Sequence, residues 1–210
     1  MLYSFGGSPD GATPEAGLIY VNGALYGTTE GGGGSECDLG CGTIFRVETT
    51  GKEKVLHSLV GGSDGESPRC NLLNVQGTLY GTTFGGGASG YGTVFSLTTT
   101  GKETVLYSFS QGAEGYEPSG GLVNLKKHLY GTTAYGGLKC HGGGCGTIFS
   151  ITGTGAEKVV YSFDGRTSGA HPLASVIEVK GALYGTTDRG GLRCGLYSAR
   201  RCGTVFAFTP

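Results

Sequence analysis

LYGTT stands at residues 25–29 and returns letter for letter at 79–83, 129–133 and 183–187. Aligning the chain on it brings two further anchors into register. Gly-Thr-Ile/Val-Phe falls at 42–45, 92–95, 146–149 and 203–206. The third anchor reads LYSF at 2–5, LHSL at 56–59, LYSF at 106–109 and VYSF at 160–163. LYGTT recurs at spacings of 54, 50 and 54 residues, a period that belongs to repeat architectures.

Each repeat reads as four strands. In the second copy they fall near 72–75, 78–83, 93–98 and 104–109, as short β-branched and aromatic runs bounded by Gly, Asn or Thr-Gly turn signals. No run of ten residues carries a 3.6 period, so helices are not expected. Four-stranded units at this period predict an all-β chain: a four-bladed β-propeller of four-stranded antiparallel blades. The whole chain, 1–210, reads as one propeller domain. Its repeats cover about 1–50 (shared with the C-terminus), 51–100, 101–154 and 155–210. The chain opens on a lone fourth strand and closes on a third strand. Residues 2–5 are therefore expected to complete the last blade and close the ring, removing two exposed edges. An open fragment, or part of a larger ring that self-associates, is the alternative.

The repeated motif reads as scaffold. Leu and Tyr of LYGTT fill the space between blades, Gly permits close backbone approach, and the paired Thr hydroxyls hold the strand exit. Composition agrees with this: 45 glycines serve turns, while 12 Tyr and 9 Phe supply core bulk. A net charge of −1 gives no pull toward nucleic acid, and no apolar run is long enough to insert in a membrane.

The segment LYGTTFGGGASGYGTVFSLTTTGKETVLYSF (79–109) resembles the GloVer-type tandem repeat of bacterial choice-of-anchor surface proteins, and the resemblance runs through all four copies. It implies a propeller-like protein that is extracellular or attached to the cell surface, and it implies no activity. The chain departs from that pattern by showing no C-terminal anchor and by adding cysteines.

Strand direction gathers the long, variable segments on one rim, opposite the short turns. Long variable loops on a rigid scaffold are where binding usually resides. Seven of the eight lysines lie in or beside the short turns, whereas Arg69, Arg166, Arg189, Arg193, Arg200 and Arg201 lie on the long-loop rim. Guanidinium groups there either grip an anionic ligand or pair with acidic neighbours. The fourth copy concentrates them. Arg189, Arg193, Arg200 and Arg201, with Tyr197, Asp188 and His171, are the expected ligand-binding residues for a glycan or cell-surface polymer. A structural module without a soluble ligand, and a small lyase or hydrolase using Asp188, Arg189 or His171, remain alternatives.

Six cysteines fall in the same loop of three copies, as Cys37/Cys41, Cys140/Cys145 and Cys194/Cys202, and the second of each pair immediately precedes the Gly-Thr anchor. Local disulfides are expected. A zinc site would need two loops to cooperate, since only His141 lies among these cysteines. No metal or cofactor is expected. Cys70 has no counterpart and reads as a buried free thiol or one beside a crossing loop. His57 replaces the Tyr of LYSF and reads as a strand residue. No Ser-His-Asp spacing, zinc-protease motif or phosphate-binding loop is present, so no catalytic residue is named. Tyr20, Asn74, Asn124 and Glu178, one in each first strand, are the expected polar lining of the ring axis.

Overall fold

The computed structural model describes residues 1–34, 36–140, 142–191 and 202–210. Its first sheet is β1 (Ile19–Val21), β2 (Ala24–Thr29), β3 (Thr43–Glu48) and β4 (Glu53–Ser58). The second is β5 (Leu73–Val75), β6 (Thr78–Thr83), β7 (Thr93–Thr98) and β8 (Glu103–Ser108), and the third is β9 (Val123–Leu125), β10 (His128–Thr133), β11 (Thr147–Ile151) and β12 (Glu157–Ser162). The fourth contains β13 (Ile177–Val179), β14 (Ala182–Thr187) and β15 (Thr204–Phe208). All are antiparallel meanders in chain order, the blades of an all-β propeller fold. The described residues contain no α-helix. A single 3-10 turn lies at Gly62–Asp64.

The chemistry of LYGTT accounts for the register. Gly27, Gly81, Gly131 and Gly185 pair with Phe45, Phe95, Phe149 and Phe206 on the next strand, and each aromatic ring lies over its glycine. A β-carbon at Gly131 would come 2.5 Å from Phe149 Cζ, so only glycine fits. The last Thr of each motif is tied to the Thr of the second anchor: Thr29 to Thr43 at 2.7 Å, Thr83 to Thr93 at 2.8 Å, Thr133 to Thr147 at 2.8 Å and Thr187 to Thr204 at 2.9 Å, all between Oγ1 atoms. These hydroxyls also bond backbone beyond the strand, as Thr29 Oγ1 donates to the Gly31 carbonyl, so each fixes the strand exit into the long loop.

A second device recurs in the outer strands. Pairing skips one residue between Ile44 and Phe45, between Val94 and Phe95, and between Ile148 and Phe149. The bulge increases local twist and re-aims the residue that follows it, which is His57, Tyr107 or Tyr161.

The chain divides into two compact units, Met1–Ser108 and Phe109–Pro210. In the first, Val21, Tyr26 and Ile44 of one blade pack on Leu72, Leu79, Phe95 and Leu97 of the next. In the second, Leu125, Tyr130 and Ile148 pack with Phe163 and Leu183. Burying such side chains between blades supplies about 1.5–3 kcal/mol each relative to exposure.

Closure of the ring by residues 2–5 is not shown. Among the described residues the fourth sheet has three strands, and residues 2–5 form none. The segment makes the packing of an outer strand without its ladder: the ring of Phe5 meets Phe45 edge-on at 4.9 Å, as Phe109 meets Phe149 at 5.1 Å and Phe163 meets Phe206 at 5.0 Å. Aromatic packing and the Tyr3 hydroxyl's hydrogen bond to Asp10 set this stretch against the first blade.

Candidate functional site

Each crossing loop that enters a blade forms one short backbone bridge with the loop leaving that blade's second strand. The bridged pairs are Ala12 with Gly31, Glu66 with Gly85, Tyr116 with Tyr135, and Ala170 with Arg189. The backbone contact is constant and the side chains are not. Copy by copy, this position is where the scaffold presents different chemistry on the same frame.

In the third blade the pair is aromatic. Tyr116 and Tyr135 stack at 5.4 Å with 20° between planes, and Tyr135 meets the His171 ring edge-on at 4.8 Å. Beside them lies an open groove of about 350 Å³, floored by Gly112, Gly136, Gly137, Gly143 and Gly144 and walled by Gln111, Tyr116 and Cys140. Glycine is obligatory in this floor. Gly144 has φ 82°, and a β-carbon there would stand 2.1 Å from the Gly136 carbonyl oxygen. The loop is laced by Gly136 N–H to Gly143 O at 2.8 Å, Gly146 N–H to Gly136 O at 3.0 Å and the Tyr116 hydroxyl to Gly143 O at 3.1 Å. The Cys140–Cys145 disulfide closes it. These bonds hold a floor of bare backbone and one phenol at fixed positions.

His171, Asp188 and Arg189 lie together at the edge of the same unit. The His171 amide donates to the Cys145 carbonyl at 2.9 Å, and the Asp188 amide donates to the His171 carbonyl at 3.0 Å. Arg189 Nε pairs with Asp188 Oδ2 at 3.3 Å on an open surface. Burial, and then the positive charge of Arg189, lower the His171 pKa below its usual value, so the imidazole is held neutral. Arg193, Tyr197, Arg200 and Arg201 lie outside the described residues.

Elsewhere on the rim, Arg69 is already engaged. It donates through Nε to Glu30 at 2.8 Å and lies 4.2 Å from the centre of the Phe84 ring. Tyr20, Asn74, Asn124 and Glu178 are exposed at the middle of β1, β5, β9 and β13. Two of them serve their own hairpins: Asn74 Oδ1 accepts from Gly77 N–H at 3.0 Å, and Glu178 Oε1 from Gly181 N–H at 2.6 Å.

The cysteine reading holds where it is described. Cys37–Cys41 and Cys140–Cys145 are bonded, Cys202 is disulfide-bonded, and Cys194 lies outside the described residues. Cys70 is free and buried, its sulfur 3.0 Å from Thr82 Oγ1, and burial raises its pKa.

Sequence reasoning missed Tyr116 and Tyr135. Their signal was present, since aligning the copies sets Tyr116 against Ala12, Glu66 and Ala170, but only the bridge shows that the two tyrosines meet.

The sequence of residues 1–198 matches the model of the Gloeobacter/Verrucomicrobia repeat. The chain belongs to that family. No curated protein matches it in sequence. Among solved structures it is similar to a luciferin-regenerating enzyme, at 16% identity and a TM-score of 0.52 over 95% of this chain. It is also similar to GH43B of the Bacteroides ovatus xyloglucan PUL, at 18% identity and a TM-score of 0.50 over 95% of this chain. The chain spans 60% of the length of the first and 39% of the second. At such identities the likeness concerns the fold, and this repeat-family chain shares the propeller blade with enzymes whose sites it need not share.

Proposed function

We propose that this chain is an extracytoplasmic binding propeller whose ligand is a carbohydrate, held in the third-blade groove beside Tyr116 and Tyr135. The observation that carries the reading is the pairing of stacked tyrosines with a disulfide-closed, glycine-floored groove. Sugars present both apolar C–H faces and many hydroxyls, and this groove sets the Tyr116 wall, stacked on Tyr135, next to a rigid backbone floor. Pre-organisation by the Cys140–Cys145 bridge lowers the ordering cost of binding. Stable disulfides favour an oxidising compartment, which supports an extracytoplasmic setting at or beyond the cell surface. The glycoside hydrolase GH43B among the similar folds makes polysaccharide fragments the first class to test. The arginines of the fourth copy extend the reading to acidic sugars.

The test is a glycan array followed by titration calorimetry on the full chain. A hit should lose about tenfold or more in affinity in Tyr135→Ala, equivalent to roughly 1.4 kcal/mol. Absence of any glycan hit, or a hit unchanged by Tyr135→Ala and by Cys140→Ser/Cys145→Ser, would overturn it. Release of reducing ends from the bound glycan would move the assignment from binder to hydrolase.

A further inference from the structure

The first unit carries a side-chain cluster that carbohydrate binding does not use. His57 stands on β4 just after its bulge, Asp64 in the 3-10 turn of the crossing loop, and Glu103 at the start of β8 in the next blade. His57 Nε2 lies 3.2 Å from Asp64 Oδ2 and 3.3 Å from Oδ1. One ligand atom from each of the three residues falls within 4.8 Å of the others. Glu103 Oε1 is buried without a hydrogen-bond partner.

The same frame occurs once more in this unit, with Tyr3, Asp10 and Glu53. There the Tyr3 hydroxyl donates to Asp10 Oδ2 at 2.8 Å, and Glu53 Oε1 is again buried without a partner. The negative charge of Asp10 contributes to a Tyr3 pKa pushed up to about 12, the hydrogen bond to Asp10 being the main cause. A phenol so disposed keeps its proton and is no ligand. At His57 the repeat puts an imidazole nitrogen in place of that phenol and leaves the two carboxyl groups where they were.

We propose that His57, Asp64 and Glu103 form a binding site for a divalent transition-metal cation of the zinc class, with one nitrogen and two carboxylate oxygens as its protein ligands. An N,O,O donor set suits zinc and its borderline neighbours, whereas calcium and magnesium take oxygen alone. Bonds of about 2.0–2.2 Å imply ligand-to-ligand edges of roughly 3–3.5 Å. His57 and Asp64 already stand at that separation, and the Glu103 carboxylate lies within 4.8 Å of both. The charges also balance. No Lys or Arg forms an ion pair with Asp64 or Glu103 among the described residues. His57 and Asp64 keep 24% and 15% of their side-chain surface, which leaves room for water to complete the coordination.

The experiment uses the full chain after dialysis against a chelator, with Zn²⁺ in calorimetry and Co²⁺ in visible spectroscopy. One saturable Zn²⁺ site is expected, with a Co²⁺ d–d spectrum that Zn²⁺ displaces. His57→Tyr installs the residue that positions 3, 107 and 161 already carry, and is expected to weaken Zn²⁺ binding more than about tenfold while the unfolding midpoint holds. Glu103→Gln should act in the same direction. Should either variant fail to fold, the His57 imidazole nitrogen resonances of the wild-type chain decide: they shift on adding Zn²⁺ if the site is real. No saturable Zn²⁺ binding below about 1 mM, undiminished binding in a folded His57→Tyr, or unmoved His57 resonances would each overturn the site.

Discussion

Gly81 lies beneath the ring of Phe95 on the adjacent strand, and a β-carbon at Gly81 would stand 2.5 Å from Phe95 Cζ. Phe95 is fully buried, so the ring has nowhere to retreat. Gly81→Ala is expected to cost about 1–3 kcal/mol through overpacking. Phe95→Leu should cost a similar amount by leaving a cavity. Because the two side chains compete for one volume, the double variant should be more stable than the sum of the single losses predicts, by about 1 kcal/mol in a denaturant double-mutant cycle. Additive losses would show that the glycine serves the backbone rather than the ring.

The repeat makes this part of the molecule readable. β6 and β7 coincide with the strands expected at 78–83 and 93–98, β5 starts one residue late and β8 lies one residue early, because Gly, Asn and Thr-Gly signals bound each run. The sites were harder to see. Tyr116 and Tyr135 sit on different loops and meet only through a backbone bridge. His57 was correctly read as a strand residue, but its partners come from a crossing loop and from the next repeat's outer strand, which no local spacing reveals. Residues 2–5 have the sequence of an outer strand, but a strand is defined by the backbone that pairs with it, and among the described residues no ladder includes them.

The first-to-second-strand turns supply a stabilising substitution. Three of them place glycine at the second turn position, Gly23 at φ 89°, Gly77 at 88° and Gly181 at 84°, while the third blade has Lys127 at φ 68°. Both central residues of this tight hairpin take positive φ, a conformation that costs a side-chain-bearing residue about 1–2 kcal/mol. Lys127→Gly is expected to raise stability by up to about 1 kcal/mol, the remainder being lost to the freedom of glycine in the unfolded chain. The midpoint of urea unfolding reads it.

Thiol chemistry separates Cys70 from the bridged cysteines. Cys70 is enclosed and its thiolate is disfavoured by burial. Without reductant, the folded chain is expected to show no thiol reacting with an aromatic disulfide reagent on the minutes scale, and the urea-unfolded chain to show one. Fast labelling of the folded chain would mean that the β6 side of this core opens readily.

The six-residue loop closed by Cys140–Cys145 is expected to contribute about 2 kcal/mol by restricting the unfolded chain. Cys140→Ala/Cys145→Ala should therefore lower the unfolding midpoint modestly. Its larger effect should be local, as faster proteolytic cleavage within that loop while the rest of the chain resists. Equal sensitivity throughout would mean that the bridge holds the fold and not the groove.

His171 gives the second unit a signed pH dependence. Its imidazole is lowered by burial and by Arg189, with Asp188 and the Ala134 carbonyl acting in the opposite sense. In the unfolded chain it takes a proton near pH 6.5, whereas the folded chain refuses that proton until the solution is more acidic. Through that window the unfolded state binds more protons, so this group's contribution to stability grows as pH rises and is lost on acidification below about pH 6.5. In an NMR titration of the folded chain, the His171 ring should have its midpoint below that of a free imidazole. Arg189→Ala should move the midpoint upward, since it removes the repelling charge. His171→Asn, which accepts the positive φ at this position, should flatten the corresponding part of the stability profile between about pH 5 and 7. A midpoint at or above pH 6.5 in the wild-type chain would mean that Asp188, rather than burial and Arg189, governs this corner of the groove.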